Sequence, residues 1–285
     1  MTGWLVVNGF LKNNKFNELT QLFLQAAKNN RIILQVKENK EYLADIDRGI
    51  EEKPDFVIFW DKDLLLAEYL ELEGIPVYNS SRAIAVCDDK RETHMALRKA
   101  GVPMPRTIMA PMTYEAVGFT SLDFIPEIEN RLKYPMIIKE AFGSFGEQVY
   151  KADDRETLLE ILAQCNTEKL LFQEYIACSC GKDVRLQVVG EKVVAAMFRH
   201  SETDFRANIT AGGKMDAYEP SEQERLLALQ AARAVGADFA GVDLLFGEKG
   251  PLVCEVNSNA HFKNLLDCTG VNTADEIFQY IQEKV

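Results

Sequence analysis

The clearest chemical signal in the sequence is a set of oxygen-bearing side chains on the apolar stretch GVDLLFGEKGPLVCEVN, residues 241–257. Glu255 and Asn257 are two residues apart, so on a strand they point to the same face. A hairpin with a three-residue loop ending at Gly250 would place Asp243 opposite Glu255 on that face. The alternative is three solvated residues on an exposed face. Because the donors are in register on apolar strands, we predict that Asp243, Glu255 and Asn257 bind one or two Mg²⁺, or Mn²⁺, together with substrate phosphates.

Two lysines and a glycine turn indicate a phosphate site. Lys139 lies in the otherwise apolar strand YPMIIKE, where a buried ammonium group needs an anionic partner. The turn FGSFGEQ follows, and Gly143 and Ser144 in it can bring backbone N–H groups to a phosphate. Lys90 falls in the first turn of a predicted helix, where the helix dipole disfavours a cation unless an anion is bound nearby. An ordinary hairpin turn and an exposed lysine are the alternatives.

The segment RHSETDFRANITAGGK, residues 199–214, is basic within an acidic chain. Arginine binds phosphate or carboxylate through a planar fork of donors, which makes Arg199 and Arg206 candidate anion-binding residues. Asn208 follows Arg206, ahead of the glycine pair, and is a further candidate. We predict that Arg206 stabilises the charge on a transferred phosphoryl group. A solvated loop is the competing interpretation.

The segment FQEYI, residues 172–176, is typical of a strand edge whose backbone groups can pair with a planar base. The candidate base-binding residues are therefore Gln173, Glu174, Tyr175 and Ile176. Asp183 and Arg185 share one face of the next strand. Contact with a ribose or a substrate and a plain surface ion pair are both open for these two residues.

The elements that must position these residues follow from hydrophobic periodicity. Strands WLVVNGF, RIILQVK and PDFVIFW alternate with helices NELTQLFLQAAKNN and DLLLAEYLELEG, which predicts a small doubly wound α/β domain. A polar helical stretch is expected after residue 37. A helix beginning at Asp88 or Asp89 and ending at Gly101 leads into an α+β region with hairpins at Gly190 and Gly250. Neither G-x-G-x-x-G nor G-x-x-x-x-G-K-[ST] is present.

Composition limits the classes of function. The 285 residues suit about two domains, and a net charge of -12 disfavours nucleic acid and anionic membranes as partners. Apolar runs are too short for a signal peptide or a membrane span, so we expect a cytoplasmic protein with reduced cysteines. The pair Cys178 and Cys180 lacks the spacing of a zinc site, and the three histidines do not match a triad. Homo-oligomerisation is left open.

The ordered set Lys90, Lys139 with GSFG, QEYI, DVRLQVVGEKVVAA, DFRAN, AGVDLL and EVN resembles the ATP-grasp superfamily, within it the RimK-like α-L-glutamate ligases. This resemblance implies a preATP-grasp α/β domain over 1–88, a hinge helix and small lobe over 89–176, and a large lobe with the metal and catalytic residues over 177–285. It implies ATP held with Lys90 and Lys139 on phosphates, QEYI at the adenine, and ribose or phosphate contacts from Asp183, Arg206 and Asn208. Lys139 and Arg206 are the implied catalytic residues.

The resemblance also implies a reaction: phosphorylation of a carboxylate by ATP, followed by amine attack on the acylphosphate to form an amide. The substrates would be amino acids or a peptide, contacted by Arg185, Arg199, Asn259, His261 and Lys263. Two segments depart from the family pattern, namely Glu147-Gln148 in the phosphate turn and NSNAHFKN beside the acceptor site. A kinase acting on a small hydroxyl substrate and a non-catalytic nucleotide-binding protein are the alternative functions.

Overall fold

Three β-sheets follow one another along the chain in a computed structural model that describes residues 1–144, 146–209 and 212–285. Phe145 of the predicted phosphate turn, and Thr210 and Ala211 of the basic segment, lie outside the described residues. No helix in the described ranges has the length and apolar character needed to cross a membrane. The mixed α/β and α+β architecture predicted from the sequence is confirmed.

The first sheet is parallel and has the strand order β2-β1-β3-β4. Its strands are β1 (Thr2–Val7), β2 (Ile33–Glu38), β3 (Phe56–Trp60) and β4 (Val77–Tyr78), and its helices are α1 (Asn14–Asn29), α2 (Leu64–Leu72) and α3 (Ser81–Asp88). The predicted helix after residue 37 is wrong. Only one 3-10 turn, Asn39–Glu41, forms there, and exposed Leu43 and Ile46 show that the stretch has no apolar stripe to bury.

The second sheet is antiparallel, with the strand order β5-β8-β6-β7. Helix α4 (Lys90–Lys99) leads into it, beginning at Asp89, whose carboxylate accepts a hydrogen bond from the Arg91 N–H, and ending just before Gly101 at φ +68°. The other elements are β5 (Thr107–Met109), α5 (Ile125–Leu132), β6 (Met136–Glu140), β7 (Val149–Ala152), α6 (Arg155–Gln164) and β8 (Leu170–Glu174).

The third sheet is antiparallel, with the strand order β11-β10-β9-β12-β13. Its strands are β9 (Lys182–Val189), β10 (Lys192–His200), β11 (Lys214–Ala217), β12 (Phe239–Gly247) and β13 (Gly250–Asn257), and its helices are α7 (Glu222–Val235), α8 (Lys263–Thr269) and α9 (Thr273–Lys284). Helix α7 starts with a capping box between Ser221 and Glu224 and ends at a left-handed Gly236.

Aromatic side chains join the first and third sheets in one core. Phe23 on α1 packs edge-on against Phe262 and Phe278, and Trp60 at the end of β3 stacks on Phe239 with centroids 5.8 Å apart. The domain limits at residues 88 and 176 stay predictions, since this core is shared across the first of them. Its packing brings the carboxyl ends of β1 and β3 beside the segment that follows β13.

Candidate active site

The C-terminal hairpin pairs Asp243 with Glu255 and Gly241 with Asn257, the register predicted from the sequence. The predicted loop is wrong, because Gly247 pairs with Gly250 and only two residues form the turn. A bulge between Asp243 and Leu244 then shifts the register by one residue. Asp243 therefore meets Glu255 through a bulge beside the site and not through a longer loop.

Asp243 is the centre of a buried group of charges. Arg185 donates from Nε and Nη2 to its two carboxylate oxygens, each at 2.7 Å, and Arg199 Nη2 lies 2.9 Å from Oδ2. Burial alone would raise the pKa of Asp243, but the charges and hydrogen bonds of the two guanidinium groups outweigh it and lower the pKa to about 2. The carboxylate is therefore ionised at neutral pH.

Arg199 has a second buried partner, because its Nε and Nη2 donate to the two oxygens of Asp183 at 2.7 Å. The structure thus places Asp183 where it holds Arg199, and this geometry does not favour the predicted ribose contact. Arg199 itself belongs to strand β10 and not to a solvated loop. The open alternative of a surface ion pair is not what the structure has: Asp183 pairs with Arg199, Arg185 pairs with Asp243, and both pairs are largely buried.

Lys90 and Lys139 face the same cavity from two elements. Both are buried, at 8% and 6% exposed, so the exposed-lysine alternative for Lys90 is wrong. The Lys90 ammonium donates to the Gly143 carbonyl at 3.3 Å, and Lys139 Nζ lies 3.5 Å from Cys254 Sγ. Burial lowers the pKa of Lys90, Glu255 opposes this, and the charge of Lys139 adds to it. Two buried ammonium groups so close favour an anion such as phosphate between them.

Gln173 projects into this cavity with its amide group fixed. Its Nε2 donates to Thr107 Oγ1 and lies 2.9 Å from His94 Nε2. His94 Nδ1 is 2.7 Å from the carbonyl oxygen of Lys90, so Nδ1 carries the hydrogen and Nε2 accepts from Gln173. Burial, and then the charge of Lys139, lower the pKa of His94 to about 4, which keeps the ring neutral. Both amide hydrogens are engaged, so the Gln173 carbonyl oxygen is left to accept from a ligand.

The prediction that FQEYI lies at a sheet edge is wrong in one respect. Strand β8 is paired on both sides, with β6 and with β5, and β5 was not predicted. Only Tyr175 and Ile176, beyond the last residue of β8 at Glu174, have left the sheet, and they line the cavity with Gln173 and Glu174. Backbone groups available to a base therefore belong to the strand end.

The basic segment contacts the phosphate turn. Arg206 pairs with Asp204 at 2.8 Å and donates from Nη1 to the Gly146 carbonyl at 2.6 Å. A Cβ at Gly146, whose φ is +76°, would meet Asn208 Oδ1 at 2.8 Å, so the close approach requires glycine. Gln148 accepts from the Ser144 N–H at 3.2 Å. The Gln148 side chain, from the unusual Glu147-Gln148 pair, therefore stabilises the turn by a hydrogen bond within it.

A larger central cavity of about 630 Å³ adjoins the cavity that Lys90, Lys139 and Gln173 line, which is called the nucleotide side below. The two cavities share Gly143, Ser144, Arg199, Asn208 and Glu255. Its size falls in the range of pockets that bind small molecules. Sequence reasoning missed the first-sheet residues in its wall, although Asp61 and Lys62 directly follow β3, at the end of a parallel strand where ligands commonly bind.

The predicted substrate residues do not all line the central cavity. Arg185, Arg199, Asn259 and His261 line the central cavity. The Asn259 amide donates to the Asp61 carbonyl at 2.9 Å, and His261 Nε2 lies 3.0 Å from the Lys15 carbonyl, so both tie the segment after β13 to the first sheet. Lys263 does not line this cavity. It pairs with Asp267 one helical turn along α8, because the helix start directs it to the surface.

The β12–β13 hairpin, called the acidic hairpin here because it carries Asp243 and Glu255 beside Asn257, can bind a metal only if other ligands complete the coordination. In residues 1–144, 146–209 and 212–285, no group of three or more His, Cys, Asp and Glu side chains could hold a metal ion. Glu255 and Asn257 face the central cavity, and the buried Asn257 Nδ2 has no hydrogen-bond partner. Two carboxylates and an amide, one carboxylate already held by arginines, suit Mg²⁺ with phosphate oxygens as the remaining ligands.

Comparison with known proteins agrees with this geometry. The family model for the RimK-like ATP-grasp domain matches residues 87–281. The uncharacterized MG012 homolog of Mycoplasma pneumoniae is 34% identical over 211 residues, 73% of each chain, and a probable alpha-L-glutamate ligase of Legionella pneumophila is 35% identical over 219 residues, 76% of this chain and 70% of that one. A RimK domain ATP-grasp protein from Sphaerobacter thermophilus superposes with a TM-score of 0.74 at 18% identity, over 98% of this chain and 99% of that chain.

The fold and the site define an ATP-grasp enzyme. The chain belongs to the RimK-like ATP-grasp family. It is an ATP-grasp ligase of the carboxylate–amine class, and the family uses ATP and Mg²⁺. The family and the ligase class predicted from the sequence are confirmed.

Proposed function

We propose that this ligase activates a small carboxylate substrate, an amino acid or a peptide end, as an acylphosphate and joins it to an amine. A carboxylate oxygen attacks the γ-phosphorus of ATP and ADP leaves. The amine then attacks the acyl carbon, inorganic phosphate leaves, and the amine loses a proton. The observation that carries the proposal is the pair of buried ammonium groups, Lys90 and Lys139, facing the acidic hairpin across a cavity that opens into the substrate-sized central cavity.

The residues in this cavity support the steps by position and charge. Lys90 and Lys139 would hold phosphate oxygens, with backbone N–H groups of Gly143 and Ser144 beside them. Arg206, anchored by Asp204 next to the phosphate turn, would offset charge that builds up on the transferred phosphoryl group. Asp243, Glu255 and Asn257 would hold Mg²⁺, one or two ions, and Mn²⁺ could replace it. When bound, the metal supplies positive charge to the phosphate oxygens.

The nucleotide base would lie at the end of β8. The Gln173 carbonyl oxygen, with both its amide hydrogens engaged, can accept a hydrogen bond from the 6-amino group of adenine but repels the 6-oxo group of guanine. Backbone groups of Tyr175 and Ile176 lie beside it, past the last paired residue of the strand. This arrangement favours ATP over GTP.

The cysteines and the net charge bear on the compartment and the partners. All six cysteines are free thiols, which favours a reducing compartment, and we propose the cytoplasm. The net charge of -12 disfavours nucleic acid and anionic membranes as partners. The partners proposed are small molecules or a peptide end, with homo-oligomerisation open.

Phosphate release tests the proposed function. The purified protein is incubated with MgATP and with N-acetyl amino acids, which supply a carboxylate but no amine, or amino acid amides, which supply an α-amine but no α-carboxylate, singly and in pairs, and free phosphate is measured. We expect release only when a carboxylate and an amine are both present, and we expect Glu255→Gln to abolish it. ADP formed without free phosphate would indicate a kinase instead.

A further inference from the structure

An apolar chamber of about 230 Å³ lies at the carboxyl end of the first sheet and has no role in the chemistry described above. The apolar part of its wall includes Leu5, Val7, Phe16, Leu19, Val36 and Trp60 from β1, α1, β2 and β3, and Asn8, Lys12, Asn17, Thr20 and Glu38 form the polar part. A cavity of about 150 Å³ lined by leucine, isoleucine and phenylalanine takes up benzene, which sets a scale for the volume that an apolar group needs. This chamber therefore has room for the side chain of leucine or phenylalanine.

The chamber adjoins the central cavity. The two share Asn8, Leu11, Phe16 and Trp60, and the central cavity shares Glu255 and Arg199 with the nucleotide side. A molecule in the central cavity could thus reach the phosphates at one end and extend into the chamber at the other. The shared wall places the chamber beside the proposed substrate site.

The fold explains why a pocket forms there. Strand β1 is central in the first sheet, with β2 on one side and β3 on the other, and all three run parallel. Their carboxyl ends meet the start of α1, and ligands bind in this crevice in doubly wound sheets. Leu5 and Val36 are paired across β1 and β2, so both point into the same wall.

The polar end of a substrate would be held where the chamber opens into the central cavity. Lys15 and Arg185 both line that cavity, and Arg185 already holds Asp243. Burial, and then the positive charge of Arg185, lower the pKa of Lys15. Two cations near each other favour the carboxylate of a substrate between them and the γ-phosphate.

The chamber does not suit an acidic side chain. Two charged residues line it, Lys12 and Glu38, and Glu38 also pairs with Lys40. The charges of Lys40 and Lys12 both act on Glu38, and a glutamate side chain entering the chamber would place a second carboxylate near Glu38. Burying an ionised carboxylate against apolar walls without a partner of its own is costly.

We infer that the carboxylate substrate of this ligase carries an uncharged apolar side chain, of leucine to phenylalanine size, which occupies the apolar chamber. The inference rests on the proposed function and narrows its substrate class. It predicts discrimination by side-chain size, because each methylene buried in a fitting pocket changes specificity by about tenfold or more.

A binding measurement tests the inference without requiring turnover. The chain has two tryptophans, Trp4 and Trp60, and only Trp60 lines the chamber. In a Trp4→Phe background with MgADP present, L-leucine, L-phenylalanine, L-alanine and L-glutamate are titrated while Trp60 emission is followed. We expect leucine or phenylalanine to bind at least about tenfold more tightly than alanine or glutamate.

A pair of variants tests the chamber directly, one that fills it and one matched control on the same strand. Val36→Phe inserts a ring into the chamber, and Ile33→Phe makes a similar change on an exposed position of the same strand. We expect Val36→Phe to weaken leucine and phenylalanine binding about tenfold while alanine and MgADP binding stay unchanged, and Ile33→Phe to change none of these. Preferred binding of glutamate, or equal binding of all four amino acids, would overturn the inference.

The outcomes separate this inference from the proposed function. If phosphate release requires a carboxylate and an amine but shows no preference for apolar side chains, the ligase function stands and the chamber proposal fails. If apolar amino acids bind as expected but phosphate is not released with any amine, the chamber proposal stands and the ligation proposal fails.

Discussion

The two ends of the substrate path differ in how they are built. At the nucleotide end, charged and polar side chains are buried and locked by hydrogen bonds, as with Gln173, His94 and the two lysines. At the other end, the chamber is lined mainly by aliphatic and aromatic side chains of the first sheet and α1. The family model begins at residue 87, so it covers the first of these ends and not the chamber.

This difference suggests a division of labour. A fixed polar network has few ways to change without leaving a buried group unpaired, so it suits a step that relatives share. Apolar walls tolerate changes of size and shape, so they suit the selection of a substrate. The predictions below test the nucleotide end, where single changes should have the larger effects.

Lys139→Met should have the largest effect. Methionine fits the apolar surroundings of strand β6, but it removes a positive charge from the phosphates, and we expect kcat/KM for ATP to fall by about 10²–10³-fold. Initial rates of phosphate release, measured with ATP varied and the carboxylate and amine saturating, check this. Lys192→Met, on an exposed position of β10, is the control and should be close to wild type. Equal activity of the two variants would remove Lys139 from the phosphate site.

Asp243→Asn should destabilise the fold and reduce activity. It removes the charged partner of Arg185 and one of the two charged partners of Arg199, which keeps Asp183, and breaking comparable buried pairs costs about 3 kcal/mol. Urea unfolding at neutral pH measures the loss. Asp153→Asn, which breaks an exposed pair with Lys151, should cost less than about 1 kcal/mol.

The same variant has a signature in acid. The stability contributed by Asp243 is fully present above its ordinary pKa of 3.8 and is lost as pH falls toward the folded value of about 2. Asp243→Asn should therefore unfold with a weaker dependence on pH in that window. An unchanged acid unfolding curve would show that the carboxylate is not held by Arg185 and Arg199 in solution.

His94→Leu should change the choice of nucleotide by about tenfold. Without the ring nitrogen as acceptor, the Gln173 amide can rotate and lose its fixed carbonyl. We expect the preference for ATP over the 5′-triphosphate of purine riboside, which lacks the 6-amino group, to shrink through KM while kcat changes less. A merely structural role for His94 would lower activity with both nucleotides equally.

The lowered pKa of His94 also predicts that the free energy of unfolding depends on pH. Its pKa is lowered from 6.5 to about 4, so between these values the unfolded chain binds a proton that the folded chain does not. Wild-type stability should fall by about 3 kcal/mol as pH drops through this window. Thermal unfolding of His94→Leu should show a smaller slope there, and an identical slope would mean that His94 is not buried as a neutral ring.

Some of this site could be predicted from the sequence, and the limits are physical. Asp243 and Glu255 are opposite each other as predicted, although a bulge and not the loop sets that register. The hydrogen bonds that fix the Gln173 amide could not be predicted. Their partners, His94 and Thr107, are 79 and 66 residues away and contact Gln173 only through tertiary packing.

The same reasoning applies to the substrate side. Residues of the segment after β13 were selected as substrate contacts, yet Asn259 and His261 line the cavity while Lys263 faces an acidic partner on its own helix. The cavity itself depends on the packing of α1 against the C-terminal helices, which periodicity along one segment does not reveal. Local patterns predicted the elements, and distant contacts decided which side chains meet.

Isotope transfer tests the central claim most directly. A carboxylate substrate labelled with ¹⁸O in its carboxyl group is incubated with the enzyme, MgATP and the amine, and the released phosphate is analysed by mass spectrometry. The acylphosphate mechanism predicts that one labelled oxygen passes to phosphate for each amide formed. Unlabelled phosphate accompanying amide formation would contradict it.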